Sequence, residues 1–468
     1  MPRTLMKHQN NAVHWMRTVR HPALFMDMRL GKTLTVIRWA VGAGLTRVLV
    51  VAPRTVLQAW ADELDREGEA YTIVEGTPKK RRFLARCTAQ EYGQPACSRR
   101  WFLIGYETLR CTPDIAGVVV RKTDKRTFVN PVNDGCDWDA VVLDESTKIK
   151  NPKATITKVC TRGFRGVPHR VILSGLPAPE GLQDYYSQMQ FLRGGFMNVG
   201  NFWAWRAKHF HSDDGWTWYP NAGVREAITD RIGQYAFVMT RQEAGIGERR
   251  VRQRRHFGMT IDQRKAFVNA RDQFERKVDG GVELTKWAMV RFQWMLRASG
   301  GMSPDGQHVL NSAKFRELVN LLTGELKWQP VVVWFHFNAE IEAAARILWD
   351  AKVRAFRVTG EIPVDQRHER IATWGEVGGA LLIQEKIGQF GIDLAAADCA
   401  IRFSHGFSQE VWNQSRDRIV HPKKKRPLLD IDFITSNSTD DAIVDLQNMK
   451  RLDARSVLVR VLDREDRP

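Results

Sequence analysis

The chain has 468 residues, 43% of them hydrophobic and 26% charged, with a formal net charge of +18 at pH 7. That length exceeds one ordinary core and calls for two or three domains, while the composition excludes a disordered or collagen-like chain. The basic excess goes beyond what solubility needs and points to a polyanion partner.

In chain order, the apolar stretch Ala23-Leu24-Phe25-Met26 leads into Gly31-Lys32-Thr33. A Gly-Lys-Thr turn that opens a helix aims backbone N–H groups and a lysine at phosphates. Lys32 is expected on the β- and γ-phosphates, Thr33 on Mg²⁺, and the Gly31 amide in the phosphate cradle. The runs Arg47–Pro53, Trp101–Glu107, Ala140–Glu145 and Arg170–Gly175 read as buried strands. Val118–Val120 and Thr127–Val129, around Thr123-Asp124-Lys125-Arg126, predict a surface hairpin. The third buried run ends in Asp144-Glu145, a magnesium ligand next to a base that orients the attacking water. Either signal alone is weak; together, and in this order, they point to a nucleoside triphosphatase.

Residues 186 to 305 read as helical and rich in Trp and Arg, with clear helical periodicity in Val282–Leu296. Helical spacing recurs in Ala313–Leu322, and a second zone of strands follows in Val331–Phe337, Ala355–Thr359, Ala380–Gln384, Ala400–Ser404 and Leu429–Ile434. Strand–helix alternation in two zones predicts two α/β domains, each a parallel sheet covered on both faces. The expected division is 1–185, 186–305 and 306–445, then a charged tail over 446–468. Cys87, Cys97, Cys111, Cys136, Cys160 and Cys399 contain no Cys-x-x-Cys pair; their irregular spacing suits free thiols in a reducing compartment better than zinc. No secretory leader or membrane-length apolar run is visible, so a cytoplasmic or nuclear setting is expected.

Taken in order, these residues resemble the SNF2-like branch of the superfamily 2 helicases. Leu5-Met6-Lys7-His8-Gln9 is similar to the glutamine motif, Met28–Thr33 to motif I, Val50–Pro53 to motif Ia, and Leu143–Asn151 to the family's extended motif II. Leu173–Pro179 is similar to motif III, Val331–Phe337 to IV, Ile387–Leu394 to V, and Gln414-Ser415-Arg416-Asp417-Arg418 to VI. Gly215-Trp216, Asn221 and Met239-Thr240-Arg241 are loosely similar to the annealing helicases within that family.

The resemblance implies two RecA-like domains in tandem with a helical insertion, and ATP held in the cleft between them. Gln9 would read adenine, Glu145 would be the catalytic base, and Arg418, with Gln414, would act on the transferred phosphate. Gly388, Gly391 and Asp393 would face nucleotide and DNA from the second domain. The sequence departs from the family at Arg29, where Gly is usual, at Leu176, where Thr is usual, and at His421, which replaces the second arginine of motif VI. The expectation is that Arg416 or Lys423 substitutes for that arginine, or that hydrolysis is slow.

Arg249, Arg250, Arg252, Arg254 and Arg255 put five arginines in seven positions. On a strand, Arg250, Arg252 and Arg254 share one face and can line a phosphate backbone. Lys79–Arg82 and Lys423–Arg426 are further basic clusters. For Trp203, Trp205, Trp216 and Trp218, core packing is the reading favoured over stacking on unpaired bases. Nothing resembles a base-reading helix, so DNA binding through backbone charge, with little sequence preference, is expected. The implied function is a DNA-dependent ATPase that translocates on or remodels duplex DNA. A strand-separating helicase, a catalytically weak ATP-gated DNA-binding protein and an RNA-directed helicase are the alternatives.

Overall fold

The computed structural model describes residues 3–86, 100–123, 127–131, 137–179, 181–212, 218–246, 250–275, 286–310, 312–388, 392–406, 408–420, 424 and 426–448. The chain forms two compact units, Met1–Gly247 and Glu248–Pro468.

The strands of the first unit are β1 (Ala23–Met26), β2 (Arg47–Ala52), β3 (Ala70–Ile73), β4 (Arg100–Gly105), β5 (Val118–Lys122), β6 (Thr127–Pro131), β7 (Ala140–Leu143), β8 (His169–Ser174), β9 (Phe210–His211), β10 (Tyr219–Pro220) and β11 (Ala236–Met239). Seven of them build one sheet in the order β11-β1-β8-β7-β2-β4-β3, and every pairing in it is parallel. Side chains alternate between the faces, and both faces are apolar, as a fully covered parallel sheet requires. Leu24, Met26, Val50, Val142 and Leu173 meet the helices Lys7–Thr18, Lys32–Gly42 and Leu57–Glu67 through Met16, Ile37, Trp39 and Trp60. Phe25, Leu49, Val51, Leu143 and Ile172 pack on the opposite face with Tyr106, Val159, Tyr186 and Trp205. The expected hairpin is present as the antiparallel pair β5–β6.

The second unit contains β12 (Arg250–Phe257), β13 (Pro330–Phe335), β14 (Ala355–Val358), β15 (Gly379–Gln384), β16 (Cys399–Arg402) and β17 (Leu428–Thr435). Their order is β12-β17-β16-β13-β15-β14, again parallel throughout. Val331, Val333 and Phe335 fill one face of β13 and Val332 and Trp334 the other.

The α/β class and both parallel sheets are as expected. The stretch 186–305 carries the helices Tyr185–Arg193, Phe202–His209, Val224–Gly233, Ile261–Glu275 and Lys286–Gly300. It also supplies β11, an edge strand of the first sheet, and β12, an edge strand of the second. The boundary between the units falls inside this stretch. β11 was missed because Ala236-Phe237-Val238-Met239 is short and half-exposed, with no alternating pattern to mark it. No helix among the described residues is long and apolar enough to cross a membrane.

Candidate functional site

Three neighbouring strands of the first sheet bring the unit 1 motifs together. β1 runs into the Gly31-Lys32-Thr33 turn, β8 into Ser174-Gly175, and β7 into Asp144-Glu145; Phe25 pairs with Ser174, and Leu143 with Ile172. All run the same way, so their C-terminal ends share one edge, where ligands of open α/β sheets bind.

The loop after β1 is wound by two left-handed residues, Arg29 (φ 68°) and Gly31 (φ 75°). Gly31 is required twice over: a Cβ there would lie 2.1 Å from Gln9 Nε2, and the backbone angle is one that side chains resist. The same angle at Arg29 explains why a glycine suits that position. Lys32 Nζ donates to the carbonyls of Met26 (2.8 Å) and Asp27 (3.3 Å), so its ammonium lies within the loop. Gln9 is buried; its Nε2 donates to Leu30 O (3.3 Å), and its Oε1 accepts from the Met6 N–H (2.9 Å). His8 Nε2 lies 3.0 Å from the same Leu30 carbonyl. The glutamine expected to read adenine thus also ties the first helix to the phosphate loop.

Asp144 is buried at the end of β7 and anchored at both carboxylate oxygens. Its Oδ2 accepts from Trp60 Nε1 (2.8 Å) and its Oδ1 from the Glu145 N–H (2.9 Å), while Tyr106 donates to its carbonyl (2.9 Å). Glu145 has left-handed backbone angles, φ 50° and ψ 57°. Such strain in a non-glycine residue costs about 1–3 kcal/mol and collects at functional positions. Motifs II and III are linked by one side chain, as Gln188 accepts from Ser146 Oγ (2.6 Å) and donates to Pro177 O (2.6 Å). Gly175 adjoins the phosphate loop, where a Cβ would meet Met28 Cγ at 3.2 Å. On the other flank, Asp27 accepts the Arg241 N–H (2.9 Å), which joins the Met239-Thr240-Arg241 segment to the loop.

In the second unit, Gln414 is buried on the helix Gln409–Arg416, and Arg418 follows in a short 3-10 turn. Arg418 Nε donates to Gly388 O (2.8 Å), which couples motif VI to motif V. Gly388 lies against the Trp334 ring, where a Cβ would fall 2.3 Å from Cζ3. Exposed Asp393 accepts from the Ala395 N–H (3.0 Å) and turns the chain there. Gly391, His421 and Lys423 lie outside the described residues, as do Arg249, Gly215, Trp216, Cys87, Cys97 and Cys136.

β12 is a strand, and Arg250, Arg252 and Arg254 fall on alternate positions of it. Acids on the neighbouring strand offset two of them. Arg250 pairs with Asp430 (2.6 Å) and Arg252 with Asp432 (2.6 Å), both on the neighbouring strand β17. Arg416 also binds Asp430 (2.9 Å), and Arg252, Arg402 and Arg416 surround the Trp412 ring at 5.3, 4.9 and 4.7 Å. The positive charge of this strand is therefore partly consumed inside its own unit. Asp432 is held below the usual carboxylate range by nearby His405, Arg252 and Arg402, although burial alone would raise it. Among the tryptophans, Trp205 is fully buried, as core packing predicts, whereas Trp203 is exposed beside Lys153 and Arg206.

Two family models match the chain in tandem, SNF2-related domain over residues 8–217 and helicase conserved C-terminal domain over residues 313–423. The chain carries an SNF2-related domain followed by a helicase C-terminal domain. The ISWI chromatin-remodeling complex ATPase CHR17 of Arabidopsis thaliana is 20% identical over 447 residues, covering 90% of this chain and 38% of that protein. Human DNA excision repair protein ERCC-6 is 27% identical over 213 residues, 40% of this chain and 12% of that one. A Sulfolobus solfataricus SWI2/SNF2 ATPase core solved in complex with dsDNA is similar with a TM-score of 0.43 and 18% identity, covering 100% of this chain and 96% of that chain. The chain spans about two fifths of the length of the curated relatives that it matches end to end.

Sequence reasoning missed several members of the site in this SNF2-related domain. Trp60, Tyr106 and Gln188 hold the motif residues in place, and each lies 38 to 84 residues from its motif II partner. No local pattern reports contacts across such separations. The nearest signal was the amphipathic spacing of the helix Leu57–Glu67, which marked Trp60 as inward-facing without naming what it meets.

Proposed function

We propose that this chain is a DNA-dependent ATPase that couples ATP hydrolysis to movement along, or remodelling of, duplex DNA. The observation that carries the reading is the convergence of Lys32, Ser174-Gly175 and Asp144-Glu145 at the C-terminal ends of three adjacent parallel strands. Lys32 and the Gly31 amide bind the phosphates of ATP, and Gln9 borders the site on the adenine side. Glu145 orients the attacking water and accepts its proton, with the Asp144 carboxylate fixed beside it by Trp60.

Mg²⁺ fits the chemistry of the donors present, the Asp144 carboxylate and the Thr33 hydroxyl. Among the described residues no group of three or more His, Cys, Asp or Glu forms a protein cage for a metal. Mg²⁺ takes one or two protein ligands and fills its shell with phosphate and water. When bound with ATP it would neutralise charge on the phosphates. Arg418, oriented by Gly388 O, with Gln414 beside it in motif VI, serves the same phosphoryl transfer.

DNA as the polymer is supported by the net charge of +18 and by relatives whose names place them in chromatin remodelling and DNA excision repair. Arg250, Arg252 and Arg254 on β12 are the backbone contacts of this reading, and Lys423 adds a cation next to motif VI. A chain of this kind works where DNA is, in the cytoplasm of a cell without a nucleus or in the nucleus of one that has it.

A triplex-displacement assay on blunt duplex tests the reading against strand separation. ATP-driven release of the third strand, with no unwinding of a tailed duplex, is the expected result; unwinding without triplex release contradicts it. Arg418→Ala is expected to lower turnover by about 10³-fold or more, the usual worth of such a cation.

A further inference from the structure

At the end of the first sheet opposite the phosphate loop, β1 and β11 begin side by side, and the Ala23 N–H donates to Tyr235 O (2.7 Å). A cavity of about 360 Å³ opens there, lined in part by Met189, Arg193, Phe196, Met197, Arg231 and Tyr235. The Arg193 guanidinium lies 4.5 Å from the Tyr235 ring centroid, and that of Arg231 lies 5.6 Å from it. Arg165 reaches the same rim, because a Cβ on Gly194 would stand 3.9 Å from its Nε. Among the described residues none of Arg20, Arg165, Arg193 and Arg231 is paired with a carboxylate; Arg231 donates only to Gln234 Oε1 (3.0 Å).

Neighbouring groups register this concentration of positive charge. Burial, with Arg170, Arg20 and Arg193, pushes the His21 imidazole down to about 3. Burial, with Arg20, Arg193 and Arg165, pushes the Arg170 guanidinium down to about 10. One wall is held by a tight hairpin in which Met197 (φ 51°) and Asn198 (φ 59°) are both left-handed and Phe196 bridges Val199. A left-handed methionine is strained, and this turn sets Met197 at the cavity.

A largely polar recess that also presents Met197 and the Tyr235 ring, with a cationic lip, suits a ligand that has a flat body with hydrogen-bonding edges and is anionic at one end. Its volume falls within the range of about 300–1,000 Å³ usual for small-ligand sites. A smooth duplex cannot enter such a recess, and an acidic peptide brings charge without a ring. We propose that this cavity seats one unpaired nucleotide of a DNA strand, its phosphate between Arg193 and Arg231 and its base against Met197 and the guanidinium planes. Bases stack readily on aromatic and guanidinium faces. The assignment rests on the reading of the chain as a DNA-acting ATPase and places a single-strand contact away from the nucleotide site.

The test compares the full chain with its Arg193→Gln/Arg231→Gln variant, using fluorescence anisotropy on oligothymidylate of about 20 nucleotides and on blunt duplex of equal length. The expected result is a loss of about 10-fold in oligothymidylate affinity and a salt slope shallower by about 0.7, for the one phosphate held between the two arginines. Duplex affinity and duplex-stimulated ATPase should change by less than about twofold, which also reports that the variant is folded. Should the double variant lose its ATPase, the exposed single variant Arg193→Gln carries the same comparison, with a loss of about threefold expected. Unchanged oligothymidylate affinity, or equal loss on both probes, overturns the proposal. So does a polyglutamate peptide that outcompetes oligothymidylate on the wild-type chain, since the cavity would then belong to an acidic protein partner. If the wild-type ATPase ignores DNA altogether, the functional reading itself fails, a separate outcome.

Discussion

Two left-handed residues shape the phosphate loop, and they predict opposite responses to mutation. Gly31→Ala forces a Cβ to within 2.1 Å of the Gln9 amide at φ 75°, so it should destabilise the first unit by about 2 kcal/mol or more. Arg29→Gly removes a side chain from a left-handed site and should stabilise the chain by about 1 kcal/mol. Urea midpoints of the two variants check both signs. At Glu145 the chemistry is separable from binding: Glu145→Gln should lower turnover about 10²–10⁴-fold while ATP still binds, as measured by equilibrium binding of labelled nucleotide. Trp60→Phe tests the support of Asp144. It keeps the ring and deletes the N–H that reaches Oδ2, so turnover should fall by about 10-fold with little change in stability.

At the level of elements, the motifs were legible because each is local: a strand, a turn and two or three polar residues in sequence. The strands around Val50, Val142, Leu173 and Val332 announced themselves by continuous apolar runs, which fully buried parallel strands require. The arginine strand was legible as a strand face but not as an ion-paired one. Arg250 and Arg252 meet their acids 180 residues away, and only the pairing of β12 with β17 brings them together. That pairing predicts a stability role for residues that look purely surface-basic in the sequence. Asp432→Asn leaves Arg252 without its charge partner and should cost about 3 kcal/mol, read from the unfolding midpoint of the second unit. A double replacement, Asp432→Leu with Arg252→Met, should recover most of that loss if the pair contributes little net energy.

For the whole molecule, pH separates stability from function. His21 is buried against Arg170 and titrates near 3 when folded, against 6.5 for an ordinary histidine. A folded pKa below the unfolded value means that protons bind the unfolded chain more tightly. The contribution is therefore complete above pH 6.5 and is lost as pH falls toward about 3. Acid unfolding of the first unit should begin in that window, and His21→Asn should flatten the dependence. The central claim, that Lys32, Asp144 and Glu145 form an ATPase site served by DNA, is tested most directly by phosphate release from ATP with no polymer, duplex DNA, single-stranded DNA or RNA, for wild type and Lys32→Ala. The account predicts hydrolysis stimulated about 10-fold or more by duplex DNA, less by RNA, and abolished in the variant. Hydrolysis indifferent to every polymer, or unchanged in Lys32→Ala, would contradict it.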